Sequence, residues 1–467
     1  MLCSSSQISR VFLLASAAIT LSLSGCGGGG GSSSQATAPV TNPVTTTPTG
    51  IDSPMGCGTV TSTGTGNVTP LVVDGFPCAA AGTAGSVNFP EQPYISVQIC
   101  APGSPPPGSV SANCQIIDHI LVDTGSTGLR IADSALSTAL KAGLTAFTNG
   151  SNSTSVSECE QYVSSYVWGP VVNVDVYIAG KSSKSTQMQI FGNSNNPVPN
   201  SCSTPLGGST LTQTDTVTSF GGNGLLGVSF SLLDYSWYFD CPTSGSSACT
   251  QNNFAGLPNI VYNFASDNNG VTITLPKVGA SGSLTPVVGT LAFGVSTGHS
   301  NNTPTSTLFT LLNDGNPNDY TYATFQAEVG GVWTSAYIDS GTDVAYFNDQ
   351  SNSNLTQCSN TDFTGLYCPA AAQSVIFNYA NFTTGVPTSQ GAFTLQVANP
   401  ALFNSNVIAF NNVAGPVSTI TNASSDIALG LVTFFGHTNY ILFTEQQIPG
   451  AGFGSQSPIT GPMNGIN

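Results

Sequence analysis

The stretch Ile120-Leu-Val-Asp123-Thr-Gly-Ser-Thr-Gly-Leu-Arg-Ile131 has a counterpart far along the chain, Ala336-Tyr-Ile-Asp339-Ser-Gly-Thr-Asp-Val-Ala-Tyr-Phe347. Each reads as a hydrophobic strand, then Asp-Thr/Ser-Gly-Ser/Thr, then a second hydrophobic strand. No other Asp-Ser/Thr-Gly triad occurs in the sequence. A carboxylate flanked by apolar strands has to sit at a strand end, where hydrogen bonds offset its desolvation. Gly125 and Gly341 let the loop backbone turn sharply and present N–H donors to Asp123 and Asp339. The hydroxyls of Ser126 and Thr342 can donate a further bond, and those of Thr124 and Ser340 can brace the opposite loop. One such triad alone is often a turn with an Asx hydrogen bond. The matched pair is the sharper signal.

Outward from these loops the chain reads as short apolar runs punctuated by Gly, Asn, Pro and Ser. Tyr94–Cys100, Val171–Ile178 and Val271–Leu275 alternate and are rich in β-branched residues, which predicts strands. Helices are expected at Ala132–Lys141 and near Gln373–Asn378. Only 6 Lys and Arg stand against 22 Asp and Glu, a formal charge of −16, and charged residues make up 6% of the chain. Too few cations are present to neutralise a phosphate backbone, so no nucleic-acid partner is expected. A coiled coil needs charged exposed faces and is excluded as well. With 40% hydrophobic residues, 52 Gly and 29 Pro, the composition suits a turn-rich β protein with a sizeable core.

The N-terminal segment carries an apolar run, Val11–Leu23, too short to cross a bilayer and suited to a signal-peptide core. It ends in Leu23-Ser24-Gly25-Cys26, which resembles the bacterial lipobox. That resemblance implies a signal peptide over 1–25, lipidation at Cys26, and a Gly/Ser/Thr/Pro-rich tether over 26–55. Gly27 rather than Asp after the cysteine implies the outer membrane, with the lipid as the sole membrane contact. Of 12 cysteines, removing Cys3 and Cys26 leaves an even number, which an exported protein is expected to pair. Nearness in sequence suggests Cys57–Cys78, Cys100–Cys114, Cys159–Cys202, Cys241–Cys249 and Cys358–Cys368. No Cys-x-x-Cys pair occurs and His119, His299 and His437 are scattered, so neither a metal nor a cofactor is expected.

The two Asp loops resemble those of the pepsin-like aspartic peptidases, and the resemblance runs from about Tyr94 to Phe453. It implies an all-β, bilobal acid-protease fold with a cleft between two β-barrel-like lobes, here 56–265 and 266–467. In that family a later hydrophobic-hydrophobic-Gly segment braces each Asp loop. Asn223-Gly-Leu-Leu-Gly227 fits the first, and Ile427-Ala-Leu-Gly430, continuing to Phe434–Phe443, fits the second. The family's hairpin flap carries a Tyr, and counting back from Gly169 lands on Tyr162, with Tyr166 as the alternative. Where the family has a Trp after the first motif this chain has Arg130, and Trp168 is a candidate to replace it in space. The chain is also similar to an uncharacterised family of bacterial lipoproteins carrying both motifs.

The resemblance implies a monomeric aspartic endopeptidase working at acidic pH, with a polypeptide in the cleft and Asp123 and Asp339 as catalytic residues. Two adjoining carboxyls cannot both ionise, so the pair would hold one proton, activate a water and protonate the scissile bond's leaving group. The alternative is an inactive binding or inhibitory lipoprotein on the same fold; a surface adhesin leaves the matched loops unexplained. A serine hydrolase is disfavoured because Gly-Val-Ser229-Phe-Ser lacks the second Gly of a nucleophile elbow. Asn313–Asp319 lacks the downstream Glu of an EF-hand loop and reads as a turn. His119 is expected to be a satisfied strand residue, and Asp343 to lie near the cleft wall.

Overall fold

The computed structural model describes residues 63–76, 89–104, 113–150, 154–162, 164–193, 196–204, 210–242, 248–304, 308–310, 324–349, 351–359, 363–381, 390–404, 407–417, 426–444, 446 and 463–466. Among them the architecture is all-β, in barrel-like sheets of 17 and 7 strands. No helix among the described residues is long and apolar enough to cross a membrane. The expected signal peptide, Cys26, the 26–55 tether, Cys57–Cys78 and Asn313–Asp319 lie outside the described residues.

Both Asp loops are built on the same three-strand device. Strand Cys114–Asp123 runs parallel to Gly224–Val228, with Gly224 opposite Ile120 and Gly227 opposite Asp123. The chain turns after Asp123 and returns as Thr127–Ala132, antiparallel to the other side of Gly224–Val228. The brace thus lies between the two arms of the loop. In the smaller sheet, Val332–Ile338 runs parallel to Ile427–Leu429, and Tyr346 of the returning strand Ala345–Tyr346 pairs with Ala428 of that brace. Two glycines make the close approach possible. A methyl group on Gly227 would lie 2.6 Å from the Ser126 carbonyl carbon, and one on Gly430 would lie 2.6 Å from the Thr342 carbonyl oxygen.

Between the first loop and its brace comes a hairpin, Thr154–Gln161 against Ser165–Ile178, with Gln161 opposite Tyr166. Its tip is tied down. Gln161 Nε2 donates to the Ser201 and Cys202 carbonyls at 3.0 and 2.7 Å, and Thr212 N–H donates to the Ser164 carbonyl at 3.0 Å. The Cys159–Cys202 disulfide closes a loop of 43 residues, worth about 3–4 kcal/mol in the chain-entropy account. Cys100–Cys114, Cys241–Cys249 and Cys358–Cys368 are also bonded as expected.

Two helix expectations need correction. Ala132–Lys141 is not one helix: a 3-10 turn covers Asp133–Ala135, and an α-helix begins only at Thr138, running to Gly143. Ser137 separates them, because its side chain accepts the Leu140 N–H at 3.2 Å and so caps a new start. Gln373–Asn378 belongs to a strand, Gln373–Ala380, paired with Phe325–Val329 and Gly391–Val397. Val375, Phe377 and Tyr379 are buried while Ser374 and Ile376 are exposed, the period of two that a strand requires.

Candidate active site

Asp123 and Asp339 end their strands facing each other, and they are only 2% and 4% exposed. Each carboxylate is held by its own loop. Asp123 accepts the Gly125 N–H at 2.8 Å through Oδ1 and the Ser126 hydroxyl through Oδ2. Asp339 accepts the Gly341 N–H at 2.9 Å and the Thr342 hydroxyl at 2.7 Å.

The two loops also grip one another. Thr124 Oγ1 donates to the Ile338 carbonyl at 3.2 Å and accepts the Ser340 N–H at 2.9 Å. Ser340 Oγ donates to the Val122 carbonyl at 2.7 Å and accepts the Thr124 N–H at 3.1 Å. These four bonds are reciprocal, so neither loop can shift without breaking contacts to the other. The glycines show how tightly the carboxyls converge. A methyl on Gly125 would stand 2.7 Å from Asp339 Oδ1 and 3.2 Å from Asp123 Oδ1; one on Gly341 would stand 2.8 Å from Asp123 Oδ1 and 3.2 Å from Asp339 Oδ1. Each loop leaves its side-chain space to the opposite Asp.

Burial pushes the Asp339 carboxyl well above the usual carboxylate range, and the charge and hydrogen bond of Asp123 push it further. The bonds from Thr342 and Gly341 oppose this without reversing it. The Asp339 carboxyl therefore keeps its proton to higher pH than an ordinary aspartate.

Tyr162 follows the first hairpin strand and is almost wholly buried in the main core, its ring 6.2 Å from that of Phe220. Tyr166 belongs to a separate cluster, and its hydroxyl donates to Gln213 Oε1 at 3.0 Å. Trp168, the candidate to stand in for the family's Trp, lies in the cluster of Tyr166 and not in the core that holds Tyr162. It packs with Phe239 in that same cluster, and its indole N–H donates to the Asn196 carbonyl at 3.3 Å. Arg130 is itself fully buried, among Glu158, Glu160 and Asp234.

His119 is buried on the strand leading to Asp123, 3.2 Å from Asp118 and 3.7 Å from Asp74. Burial alone would lower its pKa; bonds and charges from Asp118 and Asp74 outweigh that and push it up to about 9. Asp343 is half-buried directly after the second loop, with its Oδ1 accepting the Gln92 amide. Burial pushes Asp343 well above its ordinary range. Glu91 beside it is pushed the same way, by burial first and then by the charge of Asp343.

Sequence reasoning missed Glu91 and the carboxylates around Arg130. Glu158 and Glu160 did carry one signal, since alternation places both on one face of a strand. Those two and Asp234 are the carboxylate group among the described residues that could hold a metal ion, but the Arg130 guanidinium already lies against all three.

Residues 63–458 match the model of a family described as protein of unknown function (DUF3443). No curated protein matches the chain.

Proposed function

The chain belongs to the DUF3443 family, and we propose that it is an aspartic endopeptidase of pepsin-like, two-lobed architecture. The lobes are 56–265 and 266–467, and the cleft between them takes a polypeptide at acidic pH. The observation that carries the reading is the reciprocal grip of the Thr124 and Ser340 loops, which holds two buried carboxyls against each other. Structural carboxylates are commonly paired with cations; this pair is held by the N–H and hydroxyl donors of its loops.

In the proposed reaction the ionised carboxyl takes a proton from water as that water attacks the scissile carbonyl carbon. The protonated carboxyl donates to the carbonyl oxygen as charge develops there. Collapse of the tetrahedral intermediate breaks the C–N bond, and a proton passes to the leaving amine. The amide and hydroxyl donors of each loop hold the carboxyl oxygens in place throughout, so little reorganisation is needed. Tyr162 would border the cleft on the hairpin side. The protein would act as a monomer, anchored in the bacterial outer membrane by a lipid on Cys26.

Acid-incubated protein is expected to cleave a denatured protein substrate with a bell-shaped pH profile and an acidic optimum, and a statyl-type transition-state mimic should block it. A rate flat between about pH 4 and 8 would contradict the reading. A binding or inhibitory module is the second reading, favoured by the low exposure of both carboxyls and the tied-down hairpin tip. Tight binding of an uncleaved polypeptide at every pH would support it instead.

A further inference from the structure

One buried guanidinium joins the first Asp loop to the hairpin and to the segment around Asp234. Arg130 lies on the strand leaving the Asp123 loop, and Nη1 donates to the Thr127 carbonyl at 2.8 Å. Nη2 lies 2.5 Å from Glu158 Oε1, 3.1 Å from Glu160 Oε2 and 2.6 Å from Asp234 Oδ2. The carboxylates are held in turn. The Tyr238 hydroxyl donates to Asp234 at 2.6 Å, the Leu257 N–H donates to it at 3.0 Å, and the Ser236 hydroxyl donates to Glu160.

Three carboxyls around one cation exceed what charge balance needs, and Glu158 responds. Burial pushes it well above its ordinary range, and Asp234 and Glu160 add to this while Arg130 opposes it. Well-packed apolar residues often replace a buried ion pair at no loss of stability, so this cluster points to a role beyond holding the fold.

Tyr162 stands two residues past Glu160, and its hydroxyl is under the influence of both Arg130 and Asp123. Burial pushes that hydroxyl well above its ordinary range. The guanidinium therefore spans the distance between the loop that holds Asp123 and the strand that leads to Tyr162.

We propose that Arg130 is a positioning residue for the reaction: its guanidinium, with Nη1 on the Thr127 carbonyl and Nη2 against Glu158 and Glu160, sets where the hairpin and Tyr162 stand relative to Asp123. The inference rests on the peptidase reading. A lysine at this position keeps the charge but replaces the planar fork by a point donor, and it cannot hold the loop carbonyl and both hairpin carboxylates together.

The test compares wild type with Arg130→Lys by steady-state kinetics on a peptide substrate and by amide hydrogen exchange. The variant is expected to raise KM about fivefold or more, because a displaced hairpin no longer stands where it can contact substrate beside Asp123. Exchange at the Tyr162 and Val167 amides should accelerate about tenfold, while strand Gly270–Thr274 keeps its wild-type rate. A merely smaller folded population would lower the apparent kcat, leave KM unmoved and speed exchange everywhere; that result overturns the proposal. If Arg130→Lys does not fold, Glu160→Ala decides. It releases one hairpin carboxylate and leaves Glu158 and Asp234 to balance Arg130, so the same local changes are expected and their absence overturns the proposal. An inactive wild type ends the peptidase reading and this inference with it; an active wild type whose variants keep KM and hairpin exchange ends the inference alone.

Discussion

Asp339→Asn is expected to lower kcat by about 10³–10⁴-fold, or roughly 4–5.5 kcal/mol of transition-state stabilisation, while leaving the fold intact. The substitution keeps the size of the side chain and an oxygen to accept the Gly341 N–H or the Thr342 hydroxyl. It removes the ionisable partner whose proton the dyad shares. Stability should move the other way. The folded Asp339 carboxyl lies well above its unfolded value, so the stability it contributes is full below the unfolded carboxylate range and is lost as pH rises through the folded value. An asparagine has no proton to lose, so the variant should melt higher than wild type at about pH 7 and nearly level with it at about pH 3. Steady-state kinetics and thermal denaturation at the two pH values check both halves. A variant with wild-type kcat would remove Asp339 from the chemistry.

The second large effect concerns Glu91 and Asp343. Glu91 is fully buried and Asp343 half-buried, close together beside the second Asp loop. Burial raises each, the charge of Asp343 raises Glu91 further, and a backbone bond from Phe410 and the Gln92 amide hold them back. None of these groups is a cation. Both folded values lie above the unfolded ones, so the folded protein binds more protons and its stability falls as pH rises from the acid range toward neutrality. Asp343 follows Thr342, the donor to Asp339, so charge appearing there would strain the loop that holds the dyad. The double variant Glu91→Gln/Asp343→Asn is expected to raise Tm by several degrees at about pH 7 and to leave Tm at about pH 3 within a degree or two of wild type. Thermal denaturation followed by circular dichroism reads this directly. Equal Tm changes at both pH values would mean that ionisation is not the cause.

Much of the site could be read in the sequence because its chemistry is local. Gly at +2 and a hydroxyl at +3 serve the Asp of their own loop, and both sets of bonds are present at the expected positions. The hydroxyls at +1 act across loops, yet matched motifs were enough to anticipate that. The brace segments came from the family resemblance, and the structure sets Gly227 and Gly430 where the loop backbone passes. The Arg130 cluster was not legible. Its acids come from positions 158, 160 and 234, which only strand register brings to one point. Glu91 was hidden for another reason: a lone acid near a strand gives no sign that it will be fully buried. The helix expected at Gln373–Asn378 failed because Val375, Phe377 and Tyr379 follow a period of two. Trp168, considered as a spatial stand-in for the family's Trp, instead fills a distinct core with the Cys159–Cys202 disulfide.

The central claim is that Asp123 and Asp339 act on the same atom of substrate. A crystal structure of the protein with a statyl-type inhibitor tests it most directly. The inhibitor's hydroxyl is predicted to sit between the two carboxyls, within about 3 Å of an oxygen of each. An inhibitor bound elsewhere, or carboxyls too far apart to share that hydroxyl, would contradict the account.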